Sequence, residues 1–217
     1  MRTHTPKIRR VTKSSRNRSI WILAALWLSA FVAALFLDQP LAQHIHDHPP
    51  VDKHAHFTHI ILETIKLPGW FWTTLAIALL LGLLHRRHWL AALALTLSGI
   101  SVGAAYSVIK WMTGRHRPDH GIHPMELHPF AQGLRGLWSE KALCFPSGHA
   151  SLAFASAACL AILLPRWRAV FYCVALMTAI ERIVENAHYL SDVVAGIGLG
   201  IVVGHAVTHS ILGARSS

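Results

Sequence analysis

Three short clusters of ionisable and small polar residues stand at the ends of apolar runs in this chain, and their types suit the handling of a phosphoryl group. Lys110 closes one run and is followed by Arg117-Pro118. Pro146-Ser147-Gly148-His149 opens the next run, and Arg182 ends a third, followed by His188 and then Asp192 at the entrance to the last. Ionisable residues at membrane depth or at span ends are costly and so require a reason. Lys110, Arg117 and Arg182 offer three cations with many donors, enough to surround a phosphate. Ser147 and Gly148 fall where a helix is expected to begin, and the free N–H groups and positive dipole end there favour an anion. His188 and Asp192 are four apart, a spacing that predicts a shared helix face. Asp192 would then accept from one ring nitrogen of His188 and leave the other as a nucleophile. His149 is placed to protonate a departing oxygen. Phosphoryl transfer depends on positioning and charge stabilisation, which these residue types supply.

The elements that must position them are apolar. Of 217 residues, 53% are hydrophobic and 14% charged, against about 25% charged in soluble domains. The mean hydropathy is +0.41. A helix needs around 20 apolar residues to cross a bilayer, so the chain has room for about six spans. The runs are Ile20–Leu37, Leu67–Leu84, Trp89–Ile109, Ala150–Leu164, Ala169–Ile180 continuing past Glu181 and Arg182, and Val193 to about Leu212. The predicted fold class is therefore all-α, an integral membrane bundle of about six transmembrane helices. Residues 38–56 are polar and rich in histidine, and read as a connecting loop. After them Phe57, Ile60, Ile61 and Ile65 share one helical face, which predicts a short helix lying in the interface. The segment from Thr113 to Phe145 is too long for a simple connector, a length that often marks function.

The formal charge of +10 admits nucleic acid or anionic lipid as partner. The aromatic residues do not interleave with a basic stripe and no nucleic-acid fold signature is present, so lipid headgroups, a phosphate substrate and topology signals account for it. With a cytoplasmic N-terminus, the inner segments hold twelve Lys/Arg and the outer ones eight, Arg115 among them. Both termini are then inside, and the three clusters share the opposite face. Cys144, Cys159 and Cys173 form neither a disulfide framework nor a zinc spacing. The histidines from His44 to His59 match no standard metal site, and His205 and His209 read as packing or interfacial residues. Glu126, His123, His128 and Arg135 in the long loop read as loop filling. Gly196, Gly200 and Gly204 form a stripe that lets helix backbones approach, within the bundle rather than between copies.

Lys-x6-Arg-Pro, Pro-Ser-Gly-His and Arg-x5-His-x3-Asp, in that order, resemble the type 2 phosphatidic acid phosphatase superfamily. The resemblance runs from Lys110 to Asp192, and the six-span layout extends it to most of the chain. It implies a metal-independent lipid phosphate phosphatase without cofactor. His188 would form the phosphohistidine intermediate, oriented by Asp192, with His149 as general acid. Lys110, Arg117, Ser147, Gly148 and Arg182 would hold the phosphate. The phosphatase domain would cover residues 20–212, between a basic cytoplasmic tail (1–19) and a short C-terminal tail (213–217). Compactness and the positive-inside pattern point to a bacterial inner membrane with the site on the periplasmic face. Implied substrates are phosphatidic acid, phosphatidylglycerol phosphate, undecaprenyl pyrophosphate or lipid A phosphates. Phosphotransfer through the same site, vanadate binding as in the vanadium haloperoxidases and non-catalytic lipid binding are the alternatives. One departure stands out: Glu181 occupies the position before Arg182 where the motif often has Ser, and a carboxylate there can pair with Arg182 or repel substrate.

Overall fold

The computed structural model describes residues 13–51, 56–84, 89–131, 133 and 143–213. The positively charged turn at 85–88, Arg135, His54 and both chain ends lie outside them. Among the described residues seven α-helices follow one another: α1 (Lys13–Asp47), α2 (His56–Lys66), α3 (Phe71–Leu84), α4 (Trp89–Thr113), α5 (Gly148–Leu163), α6 (Arg168–Val184) and α7 (Leu190–Gly213). Among the described residues there is no strand, only two isolated β-bridges. The chain is an all-α membrane protein. α1 from Arg18, α4 and α7 are long and apolar enough to span, and α2 with α3 makes a fourth if the pair is one span bent by 63°. α5 and α6, at 16 and 17 residues, are the short members expected of the bundle.

α5 sits at the centre, packed by α4, α6 and α7. Its sequence explains the position. Ala150, Ala153, Ala155, Ala157 and Ala158, with Ser151 and Ser156, are buried on all sides of the helix. A helix that is small and apolar all round can only be a central one. The glycine stripe of α7 faces it. A Cβ on Gly196 would stand 2.7 Å from the Ser147 carbonyl, one on Gly200 would overlap that of Ser151, and one on Gly204 would stand 2.6 Å from that of Ala155. The stripe therefore packs inside the bundle, as expected. Gly200→Ala should force the two helices apart at a cost of about 1–3 kcal/mol. A thermal midpoint in detergent lowered by roughly 4 °C or more is the expected result, and an unchanged midpoint would show the contact to be slack.

Two expectations need correction. The apolar run ending at Leu37 is not the end of the first helix: α1 continues through Asp38 and Pro40 to Asp47, so residues 38–47 are not loop. Hydropathy stops at Asp38, but Asp38 is buried and paired, which lets the helix run on. The run at Leu67 is not one straight span either. A 3₁₀ turn, Leu67–Gly69, separates the interfacial-type α2 from a 14-residue α3, about 21 Å long at helical rise. The break has a local cause, because Pro68 offers no N–H to continue the α2 ladder.

Candidate active site

Each motif stands at a helix end on the same end of the bundle. Lys110 is in the last turn of α4, Ser147 is the N-cap of α5, Arg182 is in the last turn of α6 and Asp192 is in the first turn of α7. The Ser147 N–H donates to the Asp192 carbonyl at 2.9 Å, tying the starts of α5 and α7 together. The described parts of the long loop between α4 and α5 return to these ends. Its bridges pair Arg115 with Leu127 and His116 with Leu143, and the Cys144 N–H donates to the Arg115 carbonyl at 2.9 Å. Gly114 starts this fold with φ of +60°, where a Cβ would overlap the His128 carbonyl, so only glycine fits. Tyr189 fixes the other side, its hydroxyl accepting from the His123 N–H at 3.1 Å.

A cavity of about 340 Å³ opens at this end, lined by Lys110, Arg117, Gly148 and His149, with Tyr106, Leu152 and the Gly69–Trp72 turn. Sequence reasoning missed Tyr106 and the turn. The Lys110 ammonium lies 5.3 Å from the Tyr106 ring centroid, one turn back on the same helix. Gly148 packs closely on the same ring, since a Cβ there would stand 3.3 Å from it and the ring would have to give by a few tenths of an ångström. Gly69 presses on the His149 backbone in the same manner, at 2.9 Å from its carbonyl oxygen to a would-be Cβ.

The remaining predicted residues stand outside that lining. Ser147 is fully buried, its hydroxyl accepting from the Ala150 N–H at 3.5 Å, a helix cap. His188 is buried at 2% exposure. It does not share a helix face with Asp192, because α7 begins only at Leu190 and His188 lies in the preceding bend. The two meet because Asp192 turns back over the helix start. Its Oδ2 accepts from the Tyr189 N–H at 2.8 Å and stands 3.6 Å from His188 Nδ1, a contact just long of a hydrogen bond. Burial pulls the His188 imidazole down to about 4, with Asp192 pulling it up and the charges of Lys110 and Arg117 pushing it down. At neutral pH the ring is therefore uncharged.

Arg182 is held by carboxylates. Its Nε and Nη2 donate to both oxygens of Glu181, and Nη2 also donates to Glu185 at 2.7 Å. Lys66 from α2 joins them, 2.8 Å from Glu185, 3.8 Å from Glu181 and 2.6 Å from Glu63. Burial pushes Glu185 up, but the Lys66 hydrogen bond and the Arg182 charge bring it below the usual carboxylate range. Of the two outcomes open to Glu181, the structure shows pairing. Elsewhere, Glu126 and His128 pair with each other at 3.0 Å on the exposed loop, the His44 and His48 rings stack, and His205 Nδ1 contacts the Ile201 carbonyl at 3.0 Å.

The fold and the site together define an all-α membrane protein with a basic cavity where the end of α4 meets the start of α5. The chain belongs to the PAP2 superfamily, whose model matches residues 87–215. It is similar to a lipid A 1-phosphatase of Rhizobium johnstonii, 37% identical over 45% of this chain and 38% of that protein. A lipid A 1-phosphatase of Rhizobium etli is 35% identical over 52% of this chain and 46% of its own length. The decaprenylphosphoryl-5-phosphoribose phosphatase of Mycobacterium tuberculosis is 35% identical over 60% of this chain and 65% of its own length. The match thus spans between about two fifths and two thirds of these relatives. No solved structure matches the chain.

Proposed function

We propose that the chain is an integral membrane phosphatase that hydrolyses a lipid phosphate or diphosphate through a phosphohistidine on His188, residues 20–212 acting as one unit. The observation that carries the reading is the convergence of Lys110, Arg117 and His149 on one cavity, close enough to buried His188 for both cations to act on it. Asp192 faces Nδ1 and leaves Nε2 as the reacting atom. Nε2 attacks phosphorus, the P–O bond to the lipid breaks, and the departing oxygen takes a proton from His149. Water then attacks phosphorus and gives its proton to His149, the P–N bond breaks, and inorganic phosphate leaves with His188 restored. Lys110, Arg117, Arg182 and the N–H groups at Gly148 stabilise the charge on the transferring group, and Ser147 holds that helix start in place. The chain would lie in a bacterial inner membrane, both termini cytoplasmic, with lipid entering from the leaflet that faces the site.

The test is phosphate release by the purified full-length protein in detergent with EDTA present. The panel is lipid A, decaprenylphosphoryl-5-phosphoribose, phosphatidic acid, phosphatidylglycerol phosphate and undecaprenyl pyrophosphate. The names of the relatives put the first two at its head. Release in EDTA is expected from at least one lipid. No release from any of them overturns the hydrolase reading.

Glu181 gives a sharper expectation. Its carboxylate accepts from both Nε and Nη2 of Arg182, so it competes with an incoming phosphate for those donors. Glu181→Ser removes that competition and frees the Nε edge of Arg182. KM for the best lipid should fall by roughly threefold or more, with kcat little changed, in steady-state assays. A raised KM would mean that Glu181 orients Arg182 rather than opposing substrate.

A further inference from the structure

Asp38 belongs to no motif and sits on α1, outside the stretch matched by the family model. It is nonetheless 1% exposed. One oxygen accepts from the Ser191 N–H at 2.8 Å, the other from the Ser191 hydroxyl at 2.5 Å and from Arg115 Nη2 at 2.6 Å. Arg115, equally buried, turns its Nη1 to Asp192 Oδ1 at 2.5 Å and to the Ser191 hydroxyl at 2.8 Å. Its guanidinium lies 4.3 Å over the Tyr189 ring. The result is a buried chain of charge, Asp38–Arg115–Asp192, that ends at His188.

The sign of that chain matters. Arg115 by itself would neutralise Asp192, and a neutral pair does little for a histidine that must become cationic when phosphorylated. Asp38 returns the sum to one negative charge, directed at His188 through Oδ2 of Asp192. Because the groups are out of water, the effect is weakly screened. Lys110 and Arg117 near His188 both add positive charge and make the remaining negative one more important. We infer that Asp38 is a positioning residue for the reaction: by occupying Arg115 it fixes the Asp192 carboxylate and preserves the negative charge that stabilises phosphorylated His188. The inference rests on the phosphatase reading above.

Charge cancellation provides the test. Asp38→Asn keeps shape but makes the chain neutral, so kcat should fall tenfold or more with KM within twofold. Asp38→Asn/Arg115→Gln removes one charge of each sign and restores the single negative charge on Asp192. It should regain most of the lost kcat and stand within tenfold of wild type. A brace without an electrostatic role predicts the reverse, the double variant being worse than the single one. Wild-type kcat in Asp38→Asn, or a double variant no better than the single, overturns the inference. Folding is checked by monodispersity and thermal midpoint. Should Asp38→Asn alone not fold, the double variant carries the test: kcat within tenfold of wild type supports the inference and a larger loss overturns it. If the wild-type protein releases no phosphate, the phosphatase reading fails and this inference with it; release by wild type with an unaltered Asp38→Asn fells this inference alone.

Discussion

His188→Ala is expected to lower phosphate release by at least roughly 10⁴-fold, because on the proposed phosphohistidine route it removes the covalent nucleophile and leaves only binding and charge stabilisation behind. Lipid should still bind, since Lys110, Arg117 and the start of α5 are untouched. The same assignment fixes the acid side of the pH profile. His188 is uncharged above about 4, and its lowered value means that protonation removes the nucleophile only below that pH. In the free enzyme kcat/KM should therefore fall toward an acid limb near 4 rather than near the 6.5 of an ordinary histidine. The measurements are acid-stable phosphate release and radiolabelled phosphoprotein after a rapid quench at neutral or alkaline pH. Release persisting in His188→Ala would mean that another group carries the phosphate.

The second large effect concerns His149 and depends on the lipid. A general acid matters most when the departing oxygen is a poor leaving group, and its contribution is typically 10²–10⁴-fold. An alkoxide from a lipid monophosphate needs the proton, whereas the phosphate leaving from a diphosphate needs it far less. His149→Ala should therefore slow the first, phosphorylating step by about 10³-fold on a monophosphate and by about tenfold on a diphosphate. Single-turnover rates on the two lipids, compared within one variant, separate this from a general loss of folding or binding. Equal losses on both would leave His149 as a phosphate ligand and not the acid.

The motifs were legible because charge at a span end is conspicuous in an apolar sequence. Lys110, Arg182 and Asp192 interrupt or bound runs that otherwise contain almost none, and chain direction brings alternate span ends to one face. The glycines of α7 were equally readable as close packing. Other features were hidden for definite reasons. Asp38 follows an apolar run and precedes Gln39-Pro40, so it looks like the start of a loop. Only its pairing with Arg115, 77 residues away, shows that it is interior. Arg115 itself looked like one more topology charge. The helix face expected for His188 and Asp192 failed because spacing alone does not reveal where α7 begins. The contact survives through the turn of Asp192 over the Tyr189 N–H. Lys66 stands in the last turn of the interfacial-type α2. Its salt bridge to Glu185 is a tertiary contact that periodicity does not contain.

The long separation between Asp38 and its partners has a consequence for biogenesis. During synthesis α1 leaves the ribosome first, carrying a carboxylate near the end of its apolar stretch. Arg115 follows 77 residues later and Ser191 after 153. Until then Asp38 has to remain near the aqueous boundary, because an unpaired charge is costly in hydrocarbon. The first helix can take its final depth only after the last has been inserted, so completion of the active site and seating of the N-terminal helix are one late event.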